Sequence, residues 1–381
     1  MVELLLAVGL AVAVFVGFNI GGSSTGVAFG PAVGSGTLSK LFAAGLMTGF
    51  ALLGGWTVGR EVVNTMGGEI VPEARFTLAA SVAVLFFVGF ALLISNLSGV
   101  PASTSMTAVG AIAGLGAASG SLNMEKMGEI ISWWLIAPVV AFWLCAVIGR
   151  YFYPYLASSI DLEPDEDGNV TTKQRVGQTM VVVIGCYMAF SAGASNVANA
   201  VAPLVGSGEL GINAGILLAG GAIGLGAFTI ARRTLDTVGN DLTDLPLLAA
   251  LIVEVVSASI ITFLSAIGIP ASLAVSATMA IVGLGWGRAT RTTTLTEAAG
   301  KAVSGEAPEQ VTPDKSVSAA LSADQPGGQV ARIGEEEPND LRASDLFNPG
   351  TTARVISLWI LTPSISAAAS FLLFSAFPIY G

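Results

Sequence analysis

Apolar residues fill long continuous runs broken by short polar stretches, at about 2–18, 20–34, 38–58, 76–98, 100–118, 130–153, 176–192, 194–206, 210–231, 246–267, 270–287 and 353–378. Such runs lack the strict alternation of a membrane strand, so they predict helices, and spanning the hydrocarbon takes roughly 20 apolar residues. The chain therefore reads as an all-α polytopic membrane protein. Four runs fall short of a span. The runs 20–34, 100–118, 194–206 and 270–287 are rich in Gly and Ser, with Gly or Pro near their starts, which predicts broken half-helices or re-entrant hairpins.

The twelve runs divide into six and six, and identities at fixed offsets tie the halves together. Phe18, Gly21, Ser23, Ala28, Pro31, Gly34, Ser35 and Gly36 recur 172 positions later as Phe190, Gly193, Ser195, Ala200, Pro203, Gly206, Ser207 and Gly208. Gly99-Val100-Pro101-Ala102-Ser103 returns as Gly268-Ile269-Pro270-Ala271-Ser272 at an offset of 169. Trp134 and Pro138 return as Trp359 and Pro363 at an offset of 225, so the second copy holds an insertion. The expected organisation is a first transmembrane repeat over 1–153, an acidic linker over 154–175, and a second repeat over 176–378 interrupted by an acidic mobile loop over 288–350. Repeats related by inversion need an odd number of crossings each, so five effective spans per copy fit better than six.

Composition agrees with membrane burial. Residues are 53% hydrophobic and 11% charged, against about 25% charged in soluble domains, and mean hydropathy is +0.76. Net charge is −10, yet 15 of the 26 acids fall in the two polar segments 154–175 and 288–350. These segments read either as an adaptation to high salt or as ordinary disordered loops. Residues 2–18 carry Glu3 in place of a basic leader and meet no small-residue cleavage site, which predicts a retained first helix. Cys145 and Cys186 sit in apolar runs as buried small residues. The chain has no histidine, which removes histidine catalysis, histidine proton relays and histidine metal sites. Arginines near helix ends in both copies, Arg60 and Arg75 against Arg232 and Arg233, give no clean orientation. No catalytic residue, cofactor or nucleic-acid partner is expected.

The candidate chemistry is polar and uncharged. An oxyanion such as phosphate or sulfate is bound by the backbone N–H groups and dipole of a helix N-terminus, and broken helices put such termini inside the membrane. Pro101 suits the start of a half-helix, which places Ser103, Thr104 and Ser105 in its first turn. The matching positions Ser272, Leu273 and Ala274 keep a single hydroxyl, so the predicted site is asymmetric. Ser23, Ser24 and Thr25 of the first copy and Ser195, Asn196 and Asn199 of the second form the other polar pair. A shared cavity is their simplest home; an interhelical hydrogen-bond clasp is the alternative for the asparagines, and helix capping for the hydroxyls. Glu254 is the one acid deep in an apolar run, open to three roles: binding a coupling cation, exchanging a proton, or pairing with an arginine.

At these residues the chain resembles the inorganic phosphate transporter (PiT) family, whose halves each carry Gly-Ala-Asn-Asp-Val-Ala-Asn-Ala. Residues Gly193 to Ala200 read Gly-Ala-Ser-Asn-Val-Ala-Asn-Ala. The run Arg232 to Thr243 is similar to the family's Arg-Arg…Thr-x-Gly-x-Asp-Leu-Thr element, Gly99 to Met106 to Gly-Leu-Pro-Val-Ser-Thr-Thr-His, and Glu254 falls where the family has a glutamate. The resemblance implies a secondary transporter of phosphate in the cell membrane of a prokaryote, a homodimer, and Na⁺ or H⁺ as coupling ion, with Asn196 and Glu254 as the coupling candidates. The chain departs from the pattern at telling places. The motif aspartates are Ser24 and Asn196, the motif asparagines include Ser23, Val27 and Ser195, the histidine is Met106, and Trp56 stands where members often have glutamate. Phosphate keeps a proton near neutral pH that a carboxylate would receive, whereas sulfate has none. Loss of both aspartates makes a sulfate permease of the same fold the second expectation; an anion channel is the third.

Overall fold

The computed structural model describes residues 2–97, 103–159, 172–230, 246–292 and 349–381. The first copy comprises α1 (Val2–Gly34), α2 (Lys40–Thr57), α3 (Gly59–Asn64, running into a π turn at Thr65–Glu69), α4 (Leu78–Leu97), α5 (Thr104–Ala118), α6 (Met124–Val147) and α7 (Tyr153–Ser159). The second comprises α8 (Thr172–Gly206), α9 (Ile212–Thr229), α10 (Leu247–Ala266), α11 (Leu273–Ala289) and α12 (Pro349–Ala376). No strand occurs among the described residues. Six of these helices are long and apolar enough to cross a membrane, and α2 with α3 makes a seventh as a span bent by 65°. The element around Arg232, residues 98–102 with Pro101, and residues 293–348 of the insertion lie outside the described residues. The first residues of the expected loop are helical: α11 runs on to Ala289, and a 3-10 turn follows at Thr290–Thr292.

Two of the four short helices are present as short helices, with Ser103 capping α5 and not standing in its first turn as expected. α5 and α11 have 15 and 17 residues, and each starts at a serine cap: Ser103 Oγ accepts from Met106 N, and Ser272 Oγ from Val275 N. The other two require correction. Residues 20–34 continue α1 without a break, and 194–206 continue α8, so the glycines there do not end a helix. Their missing side chains serve packing instead. A methyl on Gly21 would sit 1.9 Å from the Ile223 carbonyl oxygen, and one on Gly193 would sit 2.0 Å from that of Ala51. The helices end further on, where Gly36 (φ 71°) and Gly208 (φ 77°), 172 positions apart, take the left-handed backbone of a helix C-terminus.

Several glycine contacts of this kind come in matched pairs. Gly226 meets the Phe18 carbonyl and Gly54 that of Phe190, so α1 packs on α9 as α2 packs on α8. Gly114 meets the Ala367 carbonyl and Gly283 that of Phe142, so α5 packs on α12 as α11 packs on α6. Each partner is displaced by the offset found in the sequence. α2 and α9, equivalent helices, run antiparallel against each other: Gly224 meets Thr48 while Gly220 meets Leu52. The two copies are thus intertwined, each helix of one packing on the other copy's counterpart of its own neighbour.

Candidate functional site

A pocket opens where the copies meet, lined by Asn19, Ser23, Ser24 and Val27 of α1, Leu92 of α4, Thr104 of α5, Asn196 of α8, and Ser272, Leu273 and Ala274 at the start of α11. Ser24 and Asn196 are equivalent positions, as are Thr104 and Leu273, so the pocket lies between the copies. Of the ten sequence candidates, Ser23, Ser24, Thr104, Asn196 and Ser272 line it. Thr25, Ser103, Ser105, Ser195 and Asn199 stand behind it, fully or almost fully buried.

Hydrogen bonds define what the lining can offer. Thr104 Oγ1 donates to Asn196 Oδ1 at 2.6 Å, and Asn199 Nδ2 donates to the same oxygen at 3.0 Å. Both donors hold the Asn196 carbonyl, which leaves its amide N–H groups for the pocket. The Ser24 hydroxyl makes no hydrogen bond among the described residues and faces the same space. Ser272 uses its oxygen to cap α11 and keeps its O–H. The backbone N–H groups of Leu273 and Ala274 lie in the first turn of α11 and have no intrahelical acceptor, so the helix start adds donors and the positive end of its dipole. Ser23 is less available, because its hydroxyl donates to the Asn19 and Ile20 carbonyls at 3.3 and 3.1 Å.

The residues behind the wall are structural in their bonding. Ser103 caps α5, and Thr25 Oγ1 donates to Gly21 O at 2.7 Å. Ser195 Oγ donates to Ala271 O at 2.7 Å and lies 3.2 Å from Ser105 Oγ. Asn199 Nδ2 lies 3.3 Å from Thr104 Oγ1 and 3.2 Å from Ser105 Oγ, so this asparagine joins the clasp between α8 and α5 while Asn196 faces the cavity. Glu254 is buried on α10, does not line the pocket, and has no hydrogen-bond or ion-pair partner among the described residues. Its equivalent in the first copy is Leu85, also buried.

Asn19 is the lining residue that the sequence reading missed. It was hidden by the break expected at position 19; with α1 continuous, Asn19 falls one turn before Ser23 on the same face, a buried amide in an apolar helix. Among the described residues no carboxylate lines the pocket. What the arrangement can do is surround a small anion with neutral hydrogen-bond donors in a low-dielectric setting.

The model of the phosphate transporter family matches residues 20–370. The sulfate permease CysP of Bacillus subtilis is 33% identical over 280 residues, covering 71% of this chain and 74% of its own. A solved structure, described as the sodium-dependent phosphate transporter, superposes with a TM-score of 0.68 over 98% of this chain and 99% of that one, at 18% identity, and so shares the fold. With a family match over most of its length and helices suited to a bilayer, this integral membrane protein belongs to the phosphate transporter family.

Proposed function

We propose that the chain is a secondary transporter that carries an inorganic oxyanion through the pocket between its copies, with sulfate as the preferred cargo. The observation that carries this reading is the neutral lining: Ser24, Asn196, Ser272 and the start of α11 supply donors, and among the described residues no carboxylate stands ready to receive a proton from the ligand. Sulfate, fully deprotonated, asks only for donors. Hydrogen phosphate also presents a donor of its own, which a hydroxyl or amide oxygen meets more weakly than a carboxylate. The 33% identity to a sulfate permease points the same way.

Phosphate, first on sequence grounds, is the second reading, favoured by the family model and by the solved phosphate transporter of the same fold. Antiparallel equivalent helices and reciprocal packing support an inverted repeat, for which alternating access about a central site is the natural cycle. Glu254 is the candidate carrier of coupling, by Na⁺ or by H⁺, as a buried carboxylate without a cationic partner among the described residues. The cell membrane of a prokaryote and a homodimer complete the proposal. Uptake of labelled sulfate and labelled phosphate into proteoliposomes, with sodium and pH gradients imposed separately, tests it. Sulfate uptake that saturates and resists excess phosphate is the expected outcome; preferential phosphate uptake would reverse the order, and non-saturating flux would indicate a channel.

A further inference from the structure

The two equivalent seams beside the pocket are in different states. On one side α5 packs on α8, joined by Thr104 to Asn196, Asn199 to Thr104, Asn199 to Ser105 and Ser105 to Ser195. The equivalent seam lies between α11 and α1, and there the helices approach less closely. Burial follows the same division: Ser195 and Asn199 are 1% and 0% exposed, whereas their equivalents Ser23 and Val27 are partly open. Ser105 is fully buried while its equivalent Ala274 is partly open.

The side chains could not make the second seam like the first. Where α8 has Asn196 and Asn199, α1 has Ser24 and Val27; where α5 has Thr104 and Ser105, α11 has Leu273 and Ala274. Val27, Leu273 and Ala274 hold no hydrogen-bonding side-chain group, so closing α11 on α1 would form none of the four equivalent bonds.

We infer that the α5–α8 hydrogen-bond cluster is a one-sided gate latch, which biases the empty protein toward the state closed at α5–α8 and open to ligand through the α1–α11 cleft. This rests on the alternating-access reading of the function. In the opposite state the latch is broken and the apolar α1–α11 seam is shut, so the ligand must offset the lost bonds. Asn199, Ser105 and Ser195 thereby act on the conformational equilibrium and not as ligand contacts. Asn196 and Thr104 belong to both latch and pocket, so occupancy of the pocket and integrity of the latch are linked.

The test places a single cysteine at the open cleft, Ala274→Cys, in a background with Cys145 and Cys186 replaced by alanine, and follows its labelling by a membrane-impermeant thiol reagent in proteoliposomes. Asn199→Val gives α8 the residue that α1 carries at the equivalent position, and Ser105→Ala does the same for α5. Each should shift the open-to-closed ratio roughly tenfold toward the closed α1–α11 cleft, the effect of losing one or two buried hydrogen bonds from one side of a two-state equilibrium, and lower the labelling rate at position 274 in proportion to the open population. Ser105→Ala is the milder change and serves if Asn199→Val fails to fold. Labelling unchanged in a folded Ser105→Ala protein overturns the latch. The readout is independent of the cargo: shifted labelling without sulfate or phosphate uptake would keep the latch and sink the oxyanion reading, whereas uptake with unshifted labelling would do the reverse.

Discussion

At several glycine contacts the two copies agree closely, and where they face the pocket they differ. Gly21 and Gly193 each meet a carbonyl oxygen of the opposite copy within about an atom's radius of an added methyl, and so do Gly54 and Gly226. Yet Ser24 stands opposite Asn196, Val27 matches Asn199, Leu273 matches Thr104, and Leu85 matches Glu254. Close packing tolerates no volume change at a backbone contact, so duplicated contacts stay duplicated. A pocket wall carries no such constraint, and there one copy can specialise in donors while the other supplies apolar surface.

The largest effect should come from the shared skeleton. Gly193→Val pushes a branched side chain into the Ala51 carbonyl and Gly21→Val into that of Ile223, where backbone must move; each should cost upwards of about 3 kcal/mol and abolish folded protein. Gly49, mid-way along α2 with open space around it, is the control: Gly49→Ala should be neutral or stabilising by up to about 1 kcal/mol. Thermal unfolding in detergent reads both. A folded Gly193→Val protein would show that the matched contacts are incidental and the comparison between copies has no packing basis.

Next in size is the pocket itself. Asn196→Ala removes the amide donors and the acceptor of Thr104, and loss of a hydrogen bond to a charged ligand is worth about 1.5–3 kcal/mol, which is roughly 10- to 150-fold in affinity. Ser24→Ala, at the equivalent place, removes a single hydroxyl and should cost less. Competition of unlabelled sulfate against labelled sulfate measures both. Equal losses would mean that the copies contribute equally to the site, against the asymmetry of their hydrogen bonding.

Glu254→Gln sharpens the comparison at the buried carboxylate. If Glu254 carries coupling, the glutamine variant should lose gradient-driven accumulation, by several-fold or more, while exchange of labelled for unlabelled anion continues. A purely structural role would lower stability and both transport modes together. Accumulation retained in the variant would separate Glu254 from coupling.

The sequence made the duplication legible because identity at constant offset does not depend on knowing the structure: Pro31 and Pro203 both lie inside long helices, and Gly36 and Gly208 both take the left-handed backbone after them. The short helices α5 and α11 were legible as short apolar runs behind the repeated Gly-x-Pro, but not their starts, since Ser103 caps α5 and does not stand in its first turn. Continuity of α1 and α8 was not, since a glycine-rich stretch looks the same whether it breaks a helix or lets a neighbour approach, and only the partner at Ile223 or Ala51 decides which. For the same reason Asn19 stayed hidden. Asn196 and Asn199 share a helical face in sequence, but which faces the cavity depends on Thr104 and Ser105 arriving from another element.

The smallest expected effect lies at the periphery, where the copies also differ. Lys126 at the start of α6 bridges Glu69 at 2.9 Å and Glu129 at 3.1 Å, tying the π turn after α3 to α6. The position equivalent to Lys126 at the 225-residue offset is Thr351, and that equivalent to Glu129 is Arg354, so the second copy lacks the lysine of this brace. Glu69 and Glu129 are about half exposed, with side-chain values of 50% and 46%, so solvent screens both pairs and limits their worth to about 1 kcal/mol or less. Asn123 also holds this junction, its Nδ2 donating to Glu69 O at 3.1 Å and its backbone N to Ile70 O at 2.9 Å, and those bonds survive a change at Lys126. Lys126→Met should therefore shift unfolding by no more than a few degrees and uptake by less than about twofold, with the stability difference shrinking further as salt is raised. A loss as large as that of Asn196→Ala would place this brace beside the pocket asymmetry as a determinant of the transport cycle.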